Sequence, residues 1–176
     1  MSTFNIVAET DEQTVVSQYI PDAKCSEVYQ SEAELEAEFI RMLTAQGYSA
    51  PEIKSEADLI SNLRDQLEVL NGFKFKDAEW KRFFDEKIAN ANESIVEKTK
   101  KVQEEDTALD FKTDEGRTQN IRLLDKRNIH NNRLQVINQY EADGGKYKNR
   151  YDVTVLVNGL PLVHIELKRR GVAIRE

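Results

Sequence analysis

Tyr151-Asp152-Val153-Thr154-Val155-Leu156-Val157-Asn158-Gly159-Leu160-Pro161-Leu162-Val163-His164-Ile165-Glu166-Leu167-Lys168 reads as two strands folded about a turn. Tyr151–Val157 and Leu162–Lys168 alternate, and the Asn-Gly pair between them is a strong hairpin signal. Successive side chains on a strand point to opposite faces. His164, Glu166 and Lys168 therefore share one side of the second strand, and Val163, Ile165 and Leu167 share the other, which should be core. On the first strand, Asp152 and Thr154 lie opposite Val153 and Val155. If both apolar sides meet one core, Asp152 joins Glu166 and Lys168.

That joining makes a demand on the turn. An even, two-residue loop with regular pairing would set Asp152 against Ile165 and bring the wrong faces together. The hairpin must therefore have an odd loop or a bulge.

Working back toward the N-terminus, Glu141–Arg150, with its Gly144-Gly145 pair, reads as a loop. Ala108–Lys112, Ile121–Asp125 and Arg133–Tyr140 have strand character and are separated by turn sequences. Before them come helices. About Asp77–Ala89 presents Trp80, Phe83, Phe84 and Ile88 at helical spacing, a core stripe rather than a base-stacking platform. About Glu56–Leu70 starts at Ser55 and stops at Asn71-Gly72. A charged helix is expected around Glu93–Glu105.

The first helix opens at Ser31, which has capping-box spacing to Glu34, and should stop at Gly47. Leu35, Phe39, Ile40, Met42 and Leu43 form its apolar arc. Glu32 and Glu36 fall inside that arc, where a carboxylate is costly unless it meets a cation or donors, or reaches water at the core's edge. Residues 1–30 show weak periodicity and are expected to form an arm with little structure of its own. Helices first and strands later give an α+β fold, with domain boundaries of 1–30 for the arm and 31–176 for the body.

Of the 176 residues, 39% are apolar and 32% charged, enough for one ordinary core under a solvated surface. No apolar run approaches the length of a membrane span, and the first residues lack the character of a signal peptide. With Cys25 the only cysteine, an internal disulfide and a cysteine-based zinc site are excluded. These features imply a cytoplasmic protein with no membrane partner. The net charge of −7 divides into −13 over residues 1–116 and +6 over residues 117–176. A basic C-terminal third suits phosphate, although scattered solvated charges would give the same sum.

Two carboxylates and an ammonium on one rigid surface suit phosphodiester hydrolysis. The carboxylates repel unless a hard dication lies between them, and Mg²⁺ prefers such oxygens. A metal there acidifies water and polarises the phosphoryl group. Lys168 can orient or deprotonate that water and offset negative charge. Glu36 could add a ligand, directly or through water. An ordinary surface salt bridge at Glu166 would produce the same letters.

The arrangement Asp152, thirteen residues, Glu166-x-Lys168 is that of the PD-(D/E)xK nucleases. The segment Tyr151–Gly171 closely resembles the active-site hairpin of the R (restriction) subunit of type I restriction enzymes. Tyr29–Glu36, with Gly47-Tyr48, resembles the first helix of the same N-terminal nuclease region. The resemblance implies a restriction-endonuclease-like core, a mixed sheet flanked by helices, here truncated at its C-terminal end. It implies Asp152 and Glu166 as metal ligands for Mg²⁺ (or Mn²⁺), Lys168 as the catalytic lysine, and Glu36, with Glu32 second, as the helix glutamate. The implied activity is Mg-dependent cutting of unmodified double-stranded DNA by an ATP-dependent type I site-specific deoxyribonuclease. Separate modification (methyltransferase) and specificity subunits would be its partners in a bacterium or archaeon.

Family subunits continue into a helix with a Gln-x-x-x-Tyr motif and two ATP-driven motor domains. This chain has no phosphate loop and reads as a piece of such a protein, so ATP belongs to the full-length parent only. DNA contacts, to phosphates, are expected near Lys146, Lys148, Arg150, Arg169, Arg170 and Arg175. Two other readings stand beside this one. The acidic helical part could be a docking module for the motor or modification subunit, with a dormant site. The chain could also be the nuclease domain of another DNA-processing protein, such as a repair nuclease.

Overall fold

A computed structural model describes residues 3–9, 15–20, 31–104, 108–142 and 149–168; the side chains of 3–9, 15–20, 140–142 and 149–150 are not described. The chain divides into two compact units, Met1–Ser31 and Glu32–Glu176.

In the first unit, β1 (Thr3–Glu9) pairs antiparallel with β2 (Val15–Ile20), with a register shift between Ile6 and Ala8. A hairpin thus occupies a region whose sequence suggested an unstructured arm. Its strands are short and broken by a bulge, which hides the two-residue period in the sequence.

The second unit is α+β. Helices α1 (Glu32–Ala45), α2 (Glu56–Asn71), α3 (Asp77–Phe83) and α4 (Ile95–Gln103) come first. Ser55 caps α2 in a full capping box with Asp58, and Gly72 ends it in the left-handed region at φ 59. The helix expected over Asp77–Ala89 is regular only to Phe83 and continues as a π-helical turn, Phe84–Ile88.

Two small antiparallel sheets follow: β3 (Ala108–Lys112) with β4 (Thr118–Arg122), and β5 (Leu134–Ala142), β6 (Asn149–Val157) and β7 (Leu160–Ile165) in that order. A parallel bridge, Ser49 to Gln135, adds to the β5 side. The fourth strand starts three residues before its expected position, because Thr113-Asp114-Glu115-Gly116 makes a tight turn with Gly116 at φ 81. Among the described residues, no helix is long and apolar enough to cross a membrane.

The larger core joins Leu63 and Leu67 of α2, Phe75, Trp80 and Phe83, Leu109 and Phe111 of β3, and Ile121 of β4. Its rings meet at 4.9–6.0 Å between centroids, so the aromatic stripe is core as expected. A smaller cluster of Ile53, Ile137 and Leu156 lies against the three-stranded sheet. Leu160, at the start of β7, belongs to the larger core and links the site-bearing hairpin to α2.

The apolar arc of α1 is less buried than expected, with Met42 45% exposed; Glu36 is the helix's buried residue. The side of β7 expected to be core is also partly open. Val163 is 48% exposed, and Ile165 and Leu167 are half-buried. Strand β7 is the edge of its sheet, so the buried centre falls on β6, where Val153, Thr154 and Leu156 are at most 1% exposed.

Candidate active site

The last hairpin turns on Asn158 and Gly159 alone, both with positive φ (50° and 81°), as a two-residue turn matching the twist of its strands requires. Asn158 is 1% exposed and fully bonded. Its side chain accepts from Arg133 N–H and donates to the Leu123 carbonyl and to Asn132 Oδ1. Gly159 packs on the backbone of α2, where a Cβ would come 2.6 Å from Leu63 Cα. The turn is thus a fixed point on the helical layer.

From Gly159 the pairing starts as Val157 with Leu160 and Leu156 with Pro161, then shifts to Val155 with Val163, Thr154 with His164 and Val153 with Ile165. The extra residue is the bulge that the shared-face arrangement required. In the shifted register, Glu166 is the position across from Asp152, although the ladder ends one pair earlier. The expected second strand ran to Lys168; here Glu166, Leu167 and Lys168 lie past the end of β7.

That short extension is held by Asp152. Its Oδ2 accepts the Leu167 N–H at 2.7 Å, so a carboxylate on β6 takes the place of a further strand partner. Glu166 is bonded to the Lys168 ammonium. The bond to Glu166 holds Lys168 above the ordinary lysine range against partial desolvation, and the charges of Glu32 and Asp152 act in the same direction. Lys168 therefore stands in the field of all three carboxylates, and Glu32 is the α1 glutamate that reaches it.

Glu36 is placed differently. It is 8% exposed, and its two oxygens accept from Asn138 Nδ2 at 2.8 Å and Gln139 Nε2 at 3.3 Å. These donors satisfy the buried carboxylate, as burial demands. Gln139 is the position across β5 from Asp152 and has φ 51, rare for a side chain of its kind. Pairing lapses there, between Asn138–Val153 and Tyr140–Tyr151.

Two neighbours carried no signal of their own in the sequence. Tyr151 lies flat on His164, with 4.0 Å between ring centroids and 17° between planes, and His164 Nδ1 is 3.0 Å from the buried Thr154 Oγ1. Partial burial pushes the His164 imidazole below its usual range. The cross-strand pairing of Thr154 with His164 becomes visible only once the bulge is located.

Of the expected DNA-contacting residues, Lys146, Lys148, Arg169, Arg170 and Arg175 lie outside the described residues. Arg150 is placed by its backbone alone, paired with Glu141. Among the described residues, no three His, Cys, Asp or Glu side chains gather as a ready-made metal cage. Asp152 and Glu166 nonetheless offer hard oxygen donors, and Mg²⁺ is commonly held by one or two carboxylates with waters and substrate phosphate completing its shell. The donor set fits that ion.

Comparison with known proteins agrees with the hairpin. The family described as type I restriction enzyme R protein N terminus matches residues 29–176. The chain is 48% identical over 171 residues to the endonuclease subunit of the type I restriction enzyme EcoprrI of Escherichia coli, covering 97% of this chain and 54% of that protein. It is 38% identical over 154 residues to the SsaAORF53P endonuclease subunit of Staphylococcus saprophyticus, and 35% identical over 153 residues to the SauMSSORF170P endonuclease subunit of Staphylococcus aureus. Those alignments cover 85% and 84% of this chain and 16% of each relative. The chain thus spans about half the length of the first relative and a smaller share of the others. With the family matched over most of its length, this chain belongs to the type I restriction enzyme R protein N-terminal family.

Proposed function

We propose that this region is the Mg²⁺-dependent endonuclease module of a type I restriction R subunit, cutting DNA phosphodiester bonds at Asp152, Glu166 and Lys168. The observation that carries the reading is the gathering of these groups where β6 meets the end of β7, with the Asp152 carboxylate bonded to Leu167 N–H between Glu166 and Lys168. The relatives named as endonuclease subunits support the same reading.

Asp152 and Glu166 would hold the cation, with Mn²⁺ an acceptable substitute. Its chemistry when bound is that of a Lewis acid, raising the acidity of water and offsetting phosphoryl charge. In the reaction, a water oxygen bonds to phosphorus, one P–O ester bond breaks, and the departing oxygen takes up a proton. Lys168 orients the water and places its positive charge beside the phosphoryl oxygens as they gain charge. Once Glu166 turns toward the cation, the Lys168 ammonium is released to the substrate. Glu36 acts from behind, holding Gln139 across from Asp152 and so fixing β6.

The substrate is unmodified double-stranded DNA. Cutting takes place in the cytoplasm of a bacterium or archaeon, in a complex with modification and specificity subunits. ATP is used elsewhere in the longer parent protein. Phosphate contacts come from the basic C-terminal third, including Lys146, Lys148, Arg150, Arg169 and Arg170. Supercoiled DNA incubated with the assembled parent enzyme, ATP and Mg²⁺ tests the reading. Linear product is expected from the wild type and none from Asp152→Asn; equal cutting by the two would overturn the reading.

A further inference from the structure

His164 is held on two sides. Its ring lies against Tyr151 at 4.0 Å between centroids, and Nδ1 is 3.0 Å from Oγ1 of Thr154, itself 1% exposed. With Nδ1 engaged by Thr154, Nε2 has no partner among the described residues. The ring is nevertheless solvent-exposed as a whole. The core gains little from such a side chain, since burial and hydrogen bonding are spent on fixing its direction.

His164 is also two residues before Glu166 on the same strand, and its cross-strand partner Thr154 is two residues after Asp152. By alternation all four share one side of the sheet. An oriented ring with a spare nitrogen beside the paired carboxylates suits a polar atom of the substrate. When Thr154 O–H donates to Nδ1, the ring hydrogen is on Nε2, making it a neutral N–H donor. A neutral donor can bind a phosphate oxygen beside the carboxylates without competing with a cation for them.

We propose that His164 is a substrate-contacting residue whose Nε2–H, fixed by Thr154 and Tyr151, binds a backbone phosphate oxygen of DNA next to the bond that is cut. The proposal rests on the nuclease reading above. Because the contact is to the backbone, it favours no base sequence.

The test compares His164→Gln, which keeps an N–H donor, with His164→Phe, which keeps an aromatic ring on Tyr151 and loses the donor. Cutting of supercoiled plasmid by the assembled parent enzyme is measured with Mg²⁺ and ATP, with Asp152→Asn as the reference for the nuclease reading and thermal unfolding as the check on folding. His164→Phe is expected to raise KM for DNA about tenfold, the scale of one lost hydrogen bond to a charged group, with kcat much less changed. His164→Gln should recover most of that loss. Wild-type KM in His164→Phe, or loss in His164→Gln equal to that in His164→Phe, would overturn the contact while leaving the nuclease reading in place. Full cutting by Asp152→Asn would overturn both. Should His164→Phe not fold, Thr154→Val replaces it. Freeing the ring must then raise KM, and an unchanged KM counts against the proposal.

Discussion

The Asp152 carboxylate accepts the Leu167 backbone N–H at 2.7 Å, tying β6 to the chain just beyond β7. Leu167 lies between Glu166 and Lys168, so this bond sets the position of both. Asp152→Asn keeps an acceptor there and loses the charge; Asp152→Ala loses both. Amide hydrogen exchange at Leu167 should stay slow in the Asn variant and become fast in the Ala variant, with a stability loss of about 1 kcal/mol in the latter. Equal protection in all three would show that the bond does not hold the segment.

The turn is the second fixed point. Gly159→Ala combines a positive φ of 81° with a Cβ only 2.6 Å from the Leu63 backbone. The helix backbone cannot yield as a side-chain tip would, so a loss of about 2–4 kcal/mol in urea denaturation is expected. A loss under 1 kcal/mol would mean that the hairpin does not pack on α2 in this way.

Glu68 gives a pH dependence. It is 5% exposed; burial raises its pKa, but Lys74, Arg64 and the Phe75 N–H together bring it below the ordinary glutamate range. A folded-state pKa below the unfolded one contributes stability that is present above the unfolded value, near 4.3, and is lost as pH falls through the lower folded value. Stability should therefore fall below about pH 4. Glu68→Gln should cost about 2–3 kcal/mol at pH 7 and flatten the acid limb of the stability curve. An unchanged acid limb would remove Glu68 from the account.

Glu36 is tested through its amides. Glu36→Gln keeps the volume but can accept from only one of Asn138 and Gln139, so about 1 kcal/mol of stability should be lost. If Glu36 positions β5 rather than binding the cation, the Mg²⁺ concentration needed for cutting by the parent enzyme stays unchanged while kcat falls. A large rise in the Mg²⁺ requirement would instead make it a ligand.

The hairpin was the most legible part of the chain because two constraints bore on the same residues. The Asn-Gly turn fixed its location, and the wish to put Asp152 with Glu166 required a parity change, which the structure supplies as a bulge. The α2 boundaries were equally readable, since Ser55, Asp58 and Gly72 mark them chemically. Other features depend on tertiary context. Alternation assigned Val163 to the core, but an edge strand has less to bury against than β6. Periodicity placed Glu32 and Glu36 on one face of α1 without saying which would meet Lys168 and which would meet the Asn138 and Gln139 amides. The Tyr151–His164–Thr154 grouping depends on a register that composition does not reveal.

The account's central claim is that Lys168, beside Asp152 and Glu166, serves the cutting of DNA rather than the stability of the fold. Its most direct test is single-turnover cleavage of unmodified supercoiled DNA by the assembled parent enzyme with Mg²⁺ and ATP, comparing wild type with Lys168→Ala at equal DNA occupancy. The account predicts a rate lower by about a hundredfold or more, the scale of losing one preorganised charge-stabilising group, with the melting temperature nearly unchanged. Cleavage at the wild-type rate by a folded Lys168→Ala enzyme would contradict it.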